Sequence, residues 1–307
     1  MQYMSIAGCS KPISKVIKGT DYLQVATYEL NREQLDQFVE IGGNTVDTAH
    51  IYTGGESETV LGRYVEERNL RQELVIFTKG GISSLKRDVL HAEIQTSLER
   101  LRTDYIDLYA LHRDDASLTV GEIVEMMNEY IDSGTIHAIG VSNWTPTRLL
   151  EANRYAAEHG LVGFTFNSPN LSLAKPKEPY WNGVLYVDEE MASMHENTML
   201  PCLSWSPLAR GLFSGRFSPD AITDKDIARV FYSDDNWAKY DRAEKLAAEK
   251  GLSTAEIALA YVANQSYPTA IIAGARTMEE LQSCVRAMGL KLSTEEVAWL
   301  EQGSQST

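Results

Sequence analysis

Cysteine is scarce in this chain of 307 residues: Cys9, Cys202 and Cys284 are odd in number, far apart and outside any CxxC pair. That excludes a disulfide framework and a zinc site built on paired thiols, so the three read as plain thiols and no metal is expected. Long apolar runs are missing as well. No stretch approaches the ~20 residues of a membrane span, and MQYMSIAGCSKPISKVIKGT lacks the apolar core of a secretory signal. The expected address is the cytoplasm. Basic residues are the third shortage, 28 Lys and Arg against 43 Asp and Glu, for a formal net charge of -15. This charge repels nucleic acid and anionic membranes, so neither is an expected partner, and any bound anion needs basic groups close by.

What is present is ordinary for a globular protein: 43% hydrophobic and 23% charged residues, with ample chain for a large core. Short β-rich runs end near Gly19, Asp47, Lys79, His112, Val141, Asn167, Trp205 and Gly274, mostly about thirty residues apart, with helical patterns between them. ELVIFTK and DYIDLYALH are rich in β-branched and aromatic residues, whereas REQLDQFVEIG and RDVLHAEIQTSLERLR space apolar residues three and four apart. Helix starts are expected after Asn31, at Thr145 with Pro146, and at a Ser253–Glu256 capping box. Eight alternating units close most naturally into a (β/α)8 TIM barrel; a doubly wound open sheet is the alternative. Two segments interrupt the rhythm, SLAKPKEPYWNGVLYVDE and Leu208 to Tyr240, and both follow strand ends. In a barrel they rim the ligand-binding face, and Tyr180, Trp181, Phe231, Tyr232 and Trp237 equip them as walls or lids.

In such a barrel Asp47, Lys79 and His112 end successive strands, and Tyr52 lies in the loop after the first of these. All four then face one mouth. A tyrosine ionises near pH ~10, so proton transfer at neutral pH requires a cation or hydrogen-bond donor that stabilises its anion. Lys79 is the natural donor, and Asp47 keeps that lysine charged. His112 supplies a hydrogen bond to a substrate oxygen.

DTAHIYTGGESETVLG, VIFTKGG and LYALHRDD resemble motifs of the aldo-keto reductase superfamily, and IGVSNWTP, SWSPLARGL and GARTMEEL follow in that family's order. The resemblance covers nearly the whole chain. It implies one barrel domain over residues 1–307 with a short N-terminal β-hairpin and extra C-terminal helices. It also implies NADPH bound without a Rossmann domain, and no GxGxxG is present. By the same resemblance Tyr52 is the general acid, Lys79 and Asp47 tune it, and His112 orients an aldehyde or ketone, the small-molecule carbonyl partner.

The cofactor (NADPH, or NADP+ after reaction) is carried over residue by residue. Trp205 stacks on the nicotinamide, and Ser142, Asn143 and Asn167 hold its carboxamide, although Ser168 stands where the family commonly has a glutamine. Gly19, Thr20 and Asp21 match the first-strand loop, and Ser206, Leu208 and Arg210 match the segment around the pyrophosphate. Gly274 and Arg276 match the region of the 2′-phosphate, where an arginine favours NADPH over NADH. Here Gly274 and Ala275 replace a lysine and serine of some members, and Ser283-Cys284 replaces a Glu-Asn pair. Tyr22, Trp144, Trp181 and Tyr232 are expected in the substrate pocket. His50 is either a pocket or a loop residue. The rival functions are an NADPH-binding sensor subunit with little turnover, a Schiff-base aldolase using Lys79, and a metal site at His112 with Asp114 and Asp115.

Overall fold

The computed structural model describes residues 1–303. A two-stranded antiparallel hairpin, β1 (Tyr3–Met4) and β2 (Ile13–Ser14), precedes eight parallel strands. These are β3 (Val16–Gly19), β4 (Thr45–Asp47), β5 (Val75–Gly80), β6 (Ile106–Leu111), β7 (Ile136–Val141), β8 (Phe166–Asn167), β9 (Cys202–Trp205) and β10 (Thr269–Ala273). They follow one another in chain order, and β10 closes on β3 through Ile272 opposite Ile17. The architecture is the expected (β/α)8 barrel, with helices Met278–Gly289 and Thr294–Gln302 after the last strand.

The strand period of two fixes which side chains point inward. Ile17, Val75, Phe77, Leu108, Ala110, Ala138, Phe166, Leu203, Ala270 and Ile272 form the interior core, and Ile6 and Ile13 add to it from the hairpin segment. Phe77 meets Phe166 edge-on at 5.4 Å, and Gly140 leaves the room, because a Cβ there would lie 2.4 Å from the Phe166 ring. The alternate residues, such as Val16, Val46, Ile76 and Tyr109, pack outward against the helices. Burial on both faces stabilises by roughly 1.5–3 kcal/mol for each large apolar side chain.

Local signals set the helices between strands. Thr145 accepts a bond from Arg148 N and Pro146 opens the helix Pro146–His159, while Ser253 and Glu256 complete a capping box on the helix Thr254–Ala263. Asn31 is a correction: the helix starts earlier, at Tyr28, because a 3-10 turn Val25–Thr27 runs straight into it. Asn31 lies inside the first turn and donates to the Gln24 carbonyl at 2.7 Å. The segment from Leu208 to Tyr240, expected to interrupt the rhythm, holds a 3-10 run Ala209–Ser214, a helix Lys225–Phe231 and the start of the helix Asp234–Lys250. Among the described residues no helix is long and apolar enough to cross a membrane.

Candidate active site

Inward parity carries the chemistry to one end of the barrel. Val75 and Phe77 point inward, so Lys79 does too; Thr45 puts Asp47 inward; Leu108 and Ala110 put His112 just past the end of β6. Asp47 and Lys79 are each 2% exposed and form a direct ion pair. The Lys79 ammonium also donates to the Thr48 carbonyl at 3.3 Å and to the Tyr52 hydroxyl at 3.4 Å. The Tyr52 ring meets the His112 ring edge-on, with centroids 6.1 Å apart. The four residues expected at one mouth are together there.

Tyr52 opens a tight turn, Tyr52–Gly55, in which Thr53, Gly54 and Gly55 all have positive φ. An arginine that sequence reasoning did not single out holds this turn. Arg100 donates to the His50 carbonyl at 2.9 Å and pairs with Glu58 at 3.3 Å, while Glu58, fully buried, accepts from Thr78 at 2.7 Å. Gly55 is required, since a Cβ there would lie 2.3 Å from the Arg100 guanidinium carbon. His50 therefore serves the loop: its carbonyl and ring both face Arg100.

Burial dominates the electrostatics. It pushes the Asp47 carboxyl up to about 6 against the pull of Lys79, and it lowers Lys79 against the pull of Asp47. Tyr52 is pushed well above its usual value by burial, then by Asp47 and Asp21, with Arg113 opposing. At rest the Lys79 ammonium is engaged by Asp47, and its contact with Tyr52 is long. The phenol holds its proton at neutral pH. His112 is pushed well below its usual value by burial, then by Lys79 and Arg113, so it is neutral, and its buried Nδ1 has no partner.

The residues expected around a dinucleotide divide into three groups. On the nicotinamide side, Trp205 is partly open and stands 6.2 Å from Trp181. Asn143 donates to the His112 carbonyl at 3.1 Å and to Ser142 Oγ at 2.9 Å, and it accepts from Leu185 N at 3.0 Å. Asn167 is a correction. Phe166 points inward, so Asn167 points to the helix layer and contacts His195 at 3.2 Å; it does not face the mouth. Ser168 is the inward residue and bonds the Leu203 carbonyl at 2.8 Å. Asn170, not anticipated, fixes Trp205 by donating to its carbonyl at 2.8 Å.

In the second group Ser206, Ala209 and Arg210 adopt left-handed backbone angles around Leu208, a strained run of the kind found at ligand-binding loops. The Arg210 guanidinium rests 4.6 Å from the Tyr180 ring and 4.9 Å from the Trp181 ring. In the third group, around the ends of β3 and β10, Thr20 bonds the Asp47 carbonyl at 2.7 Å, Gly19 abuts Ile272, and Asp21 is exposed. Gly274 borders open space, and the Arg276 guanidinium lies 4.3 Å from the Tyr22 ring. Beneath them Lys18, fully buried and pointing outward, donates to the Ala275 carbonyl, and burial lowers it to about 8. Two guanidiniums held by aromatic rings, an accessible indole face and a strained loop fit a dinucleotide phosphate.

Of the four residues expected in the substrate pocket, one, Trp144, is corrected. Tyr22 bonds Gln34 at 2.9 Å and supports Arg276. Trp144 is fully buried against Phe164, 5.3 Å away, so it cannot form an open wall. Tyr232 turns to the Ala221 carbonyl and the Trp237 ring. Trp181, 48% exposed beside Trp205, is the aromatic at the mouth. Phe231 lines a cavity with Trp205, Tyr180 and Arg210. The rival metal set is dispersed: Asp114 pairs with Arg148, Asp115 caps Leu85 and Ser117, and no cluster of potential metal ligands occurs among the described residues.

The sequence profile of the Aldo/keto reductase family matches residues 16–304. The chain belongs to this family. Its fold is the (β/α)8 barrel of that family, an oxidoreductase family that generally uses nicotinamide dinucleotides. Norsolorinic acid reductase stcV of Emericella nidulans is 29% identical over 87% of this chain and 70% of its own length. Probable aryl-alcohol dehydrogenase AAD4 of Saccharomyces cerevisiae is 29% identical over 89% of this chain and 88% of its own length. The probable voltage-gated potassium channel subunit beta of Arabidopsis thaliana is 29% identical over 80% of this chain and 78% of its own length.

Proposed function

We propose that this aldo/keto reductase family member reduces an aldehyde or ketone to an alcohol with NADPH, as one catalytic domain, and that Tyr52 protonates the carbonyl oxygen. The observation that carries this reading is the convergence of Asp47, Lys79, Tyr52 and His112 at one barrel mouth. When bound, the reduced nicotinamide supplies the hydride. Tyr52 holds a proton at its Oη and gives it to the carbonyl oxygen, and the Lys79 ammonium, 3.4 Å away, stabilises the phenolate left behind. Asp47 keeps Lys79 charged despite its burial. His112, neutral, orients the oxygen by a hydrogen bond.

Trp205 offers the stacking face and Arg210 a partner for the diphosphate. Arg276 supports NADPH over NADH, because a 2′-phosphate uses a planar guanidinium fork that a hydroxyl does not. Trp181, open beside Trp205, supports an aromatic substrate, as do the relatives named for an aryl alcohol and for norsolorinic acid. A panel of aromatic aldehydes with NADPH, followed by loss of nicotinamide absorbance, tests the reading. Turnover of several is expected; no turnover of any carbonyl contradicts it. The potassium-channel relative motivates a second reading, a nucleotide sensor, which tight NADPH binding with negligible turnover would favour.

A further inference from the structure

Arg113 follows His112 directly, is half-buried, and pairs with no carboxylate among the described residues. The two acids next in sequence are committed elsewhere: Asp114 to Arg148 at 3.1 Å, and Asp115 to Leu85 N at 3.1 Å and to Ser117 N at 3.1 Å. Among the described residues the one hydrogen bond of the guanidinium goes to the His112 carbonyl at 2.8 Å, and that carbonyl already accepts from Asn143. The bond therefore satisfies no orphaned group. A guanidinium carries five N–H donors in a fixed fork, and most of these are left over.

Its place in the barrel narrows what those donors serve. Arg113 tops β6, which stands opposite β10 in the closed strand order, whereas Arg276 follows β10. It is thus remote from the expected 2′-phosphate. It packs under the long loop after β8, since a Cβ on Gly183 would lie 3.6 Å from Arg113 Nε, and Trp181 of that loop stands beside Trp205. Its charge reaches the reacting end: it draws Tyr52 and His112 downward, and burial lowers Arg113 itself.

We propose that Arg113 is a specificity-determining residue that receives a carboxylate on the substrate, so that the preferred substrates are carbonyl compounds carrying a carboxylate near the reacting carbon. This rests on the carbonyl-reductase reading above. Across a chain of net charge -15 such an anion is disfavoured at a distance, and a half-desolvated guanidinium is the local group that reverses this.

The test compares the 2-, 3- and 4-formylbenzoates with their neutral methyl esters, using the full chain with NADPH. For at least one isomer the acid should exceed its ester in kcat/KM by roughly 10- to 100-fold, the range expected of one charge-assisted hydrogen bond. Arg113→Met should collapse that ratio, and Arg113→Lys should retain part of it. Esters turned over as well as every acid, or a ratio unchanged in Arg113→Met, would overturn the proposal while leaving the reductase reading intact. Should neither series react, calorimetric titration of benzoate and benzamide into the protein with NADP+ decides. Benzoate binding that weakens by a similar factor in Arg113→Met supports the assignment, and benzoate that binds no better than benzamide, or equally well in Arg113→Met, refutes it.

Discussion

The Lys79 ammonium is shared unequally: it pairs directly with Asp47 and stands 3.4 Å from the Tyr52 hydroxyl. In this resting arrangement the lysine balances a buried carboxylate and only grazes the phenol. The interaction with Tyr52 strengthens when a phenolate develops, which is the condition for a transition-state effect.

The ion pair itself is testable by stability. Lys79→Met leaves Asp47 buried with no counter-charge and is expected to cost about 3–5 kcal/mol in urea unfolding. Asp47→Asn strands the ammonium similarly. The double variant should be clearly less destabilised than the two losses added together, and additivity would show that the pair is not coupled.

Arg276→Ala should weaken NADPH binding by roughly 10- to 100-fold and change NADH binding by less than about threefold, the difference expected when a phosphate loses a guanidinium. Fluorescence titration of both dinucleotides reads this directly. Equal losses for both would remove Arg276 from the 2′-phosphate.

Arg100→Met releases the His50 carbonyl and the Tyr52 turn. We expect kcat to fall about 10- to 100-fold, as for a misplaced catalytic group, with NADPH affinity little changed. Steady-state kinetics beside cofactor titration separates the two.

Lys18 sets a pH signature. Burial holds it at about 8, against a usual 10.5, so below pH 8 the folded state bears the whole cost of an enclosed ammonium. Between about 8 and 10.5 the unfolded chain binds more protons than the folded one, and stability rises with pH over that window. Lys18→Met should therefore stabilise by roughly 1–3 kcal/mol at pH 7, with the gain shrinking toward pH 10. Thermal unfolding across this range checks the slope, and a gain independent of pH would contradict it.

The barrel was legible in the sequence because its strands and helices alternate in period, and the strand ends followed from where the β-rich runs stop. Parity within a strand was the finer rule. It places Lys79, Asp47 and His112 inward, and it also turns Asn167 away once Phe166 is inside. Aromatic residues near the mouth were less readable. Trp144 is absorbed by packing and Tyr22 lies against Arg276, while Trp181 stands open beside Trp205. Arg100, Glu58 and Lys18 gave no signal, since a buried charge and a solvated one are the same letter, and only the fold shows which is enclosed. The sign of the Tyr52 shift was also hidden, because desolvation and the charges of Asp47 and Asp21 outweigh Arg113.

The central claim, that Tyr52 hands its proton to a carbonyl oxygen as hydride arrives, is tested most directly by single-turnover reduction of an aromatic aldehyde with enzyme-bound NADPH, comparing the natural chain with Tyr52→Phe. The account predicts that the phenylalanine variant binds NADPH within a few-fold of the natural chain and loses at least 10²-fold in the hydride-transfer rate, the scale of general acid catalysis. Hydride transfer at an undiminished rate in Tyr52→Phe would contradict it.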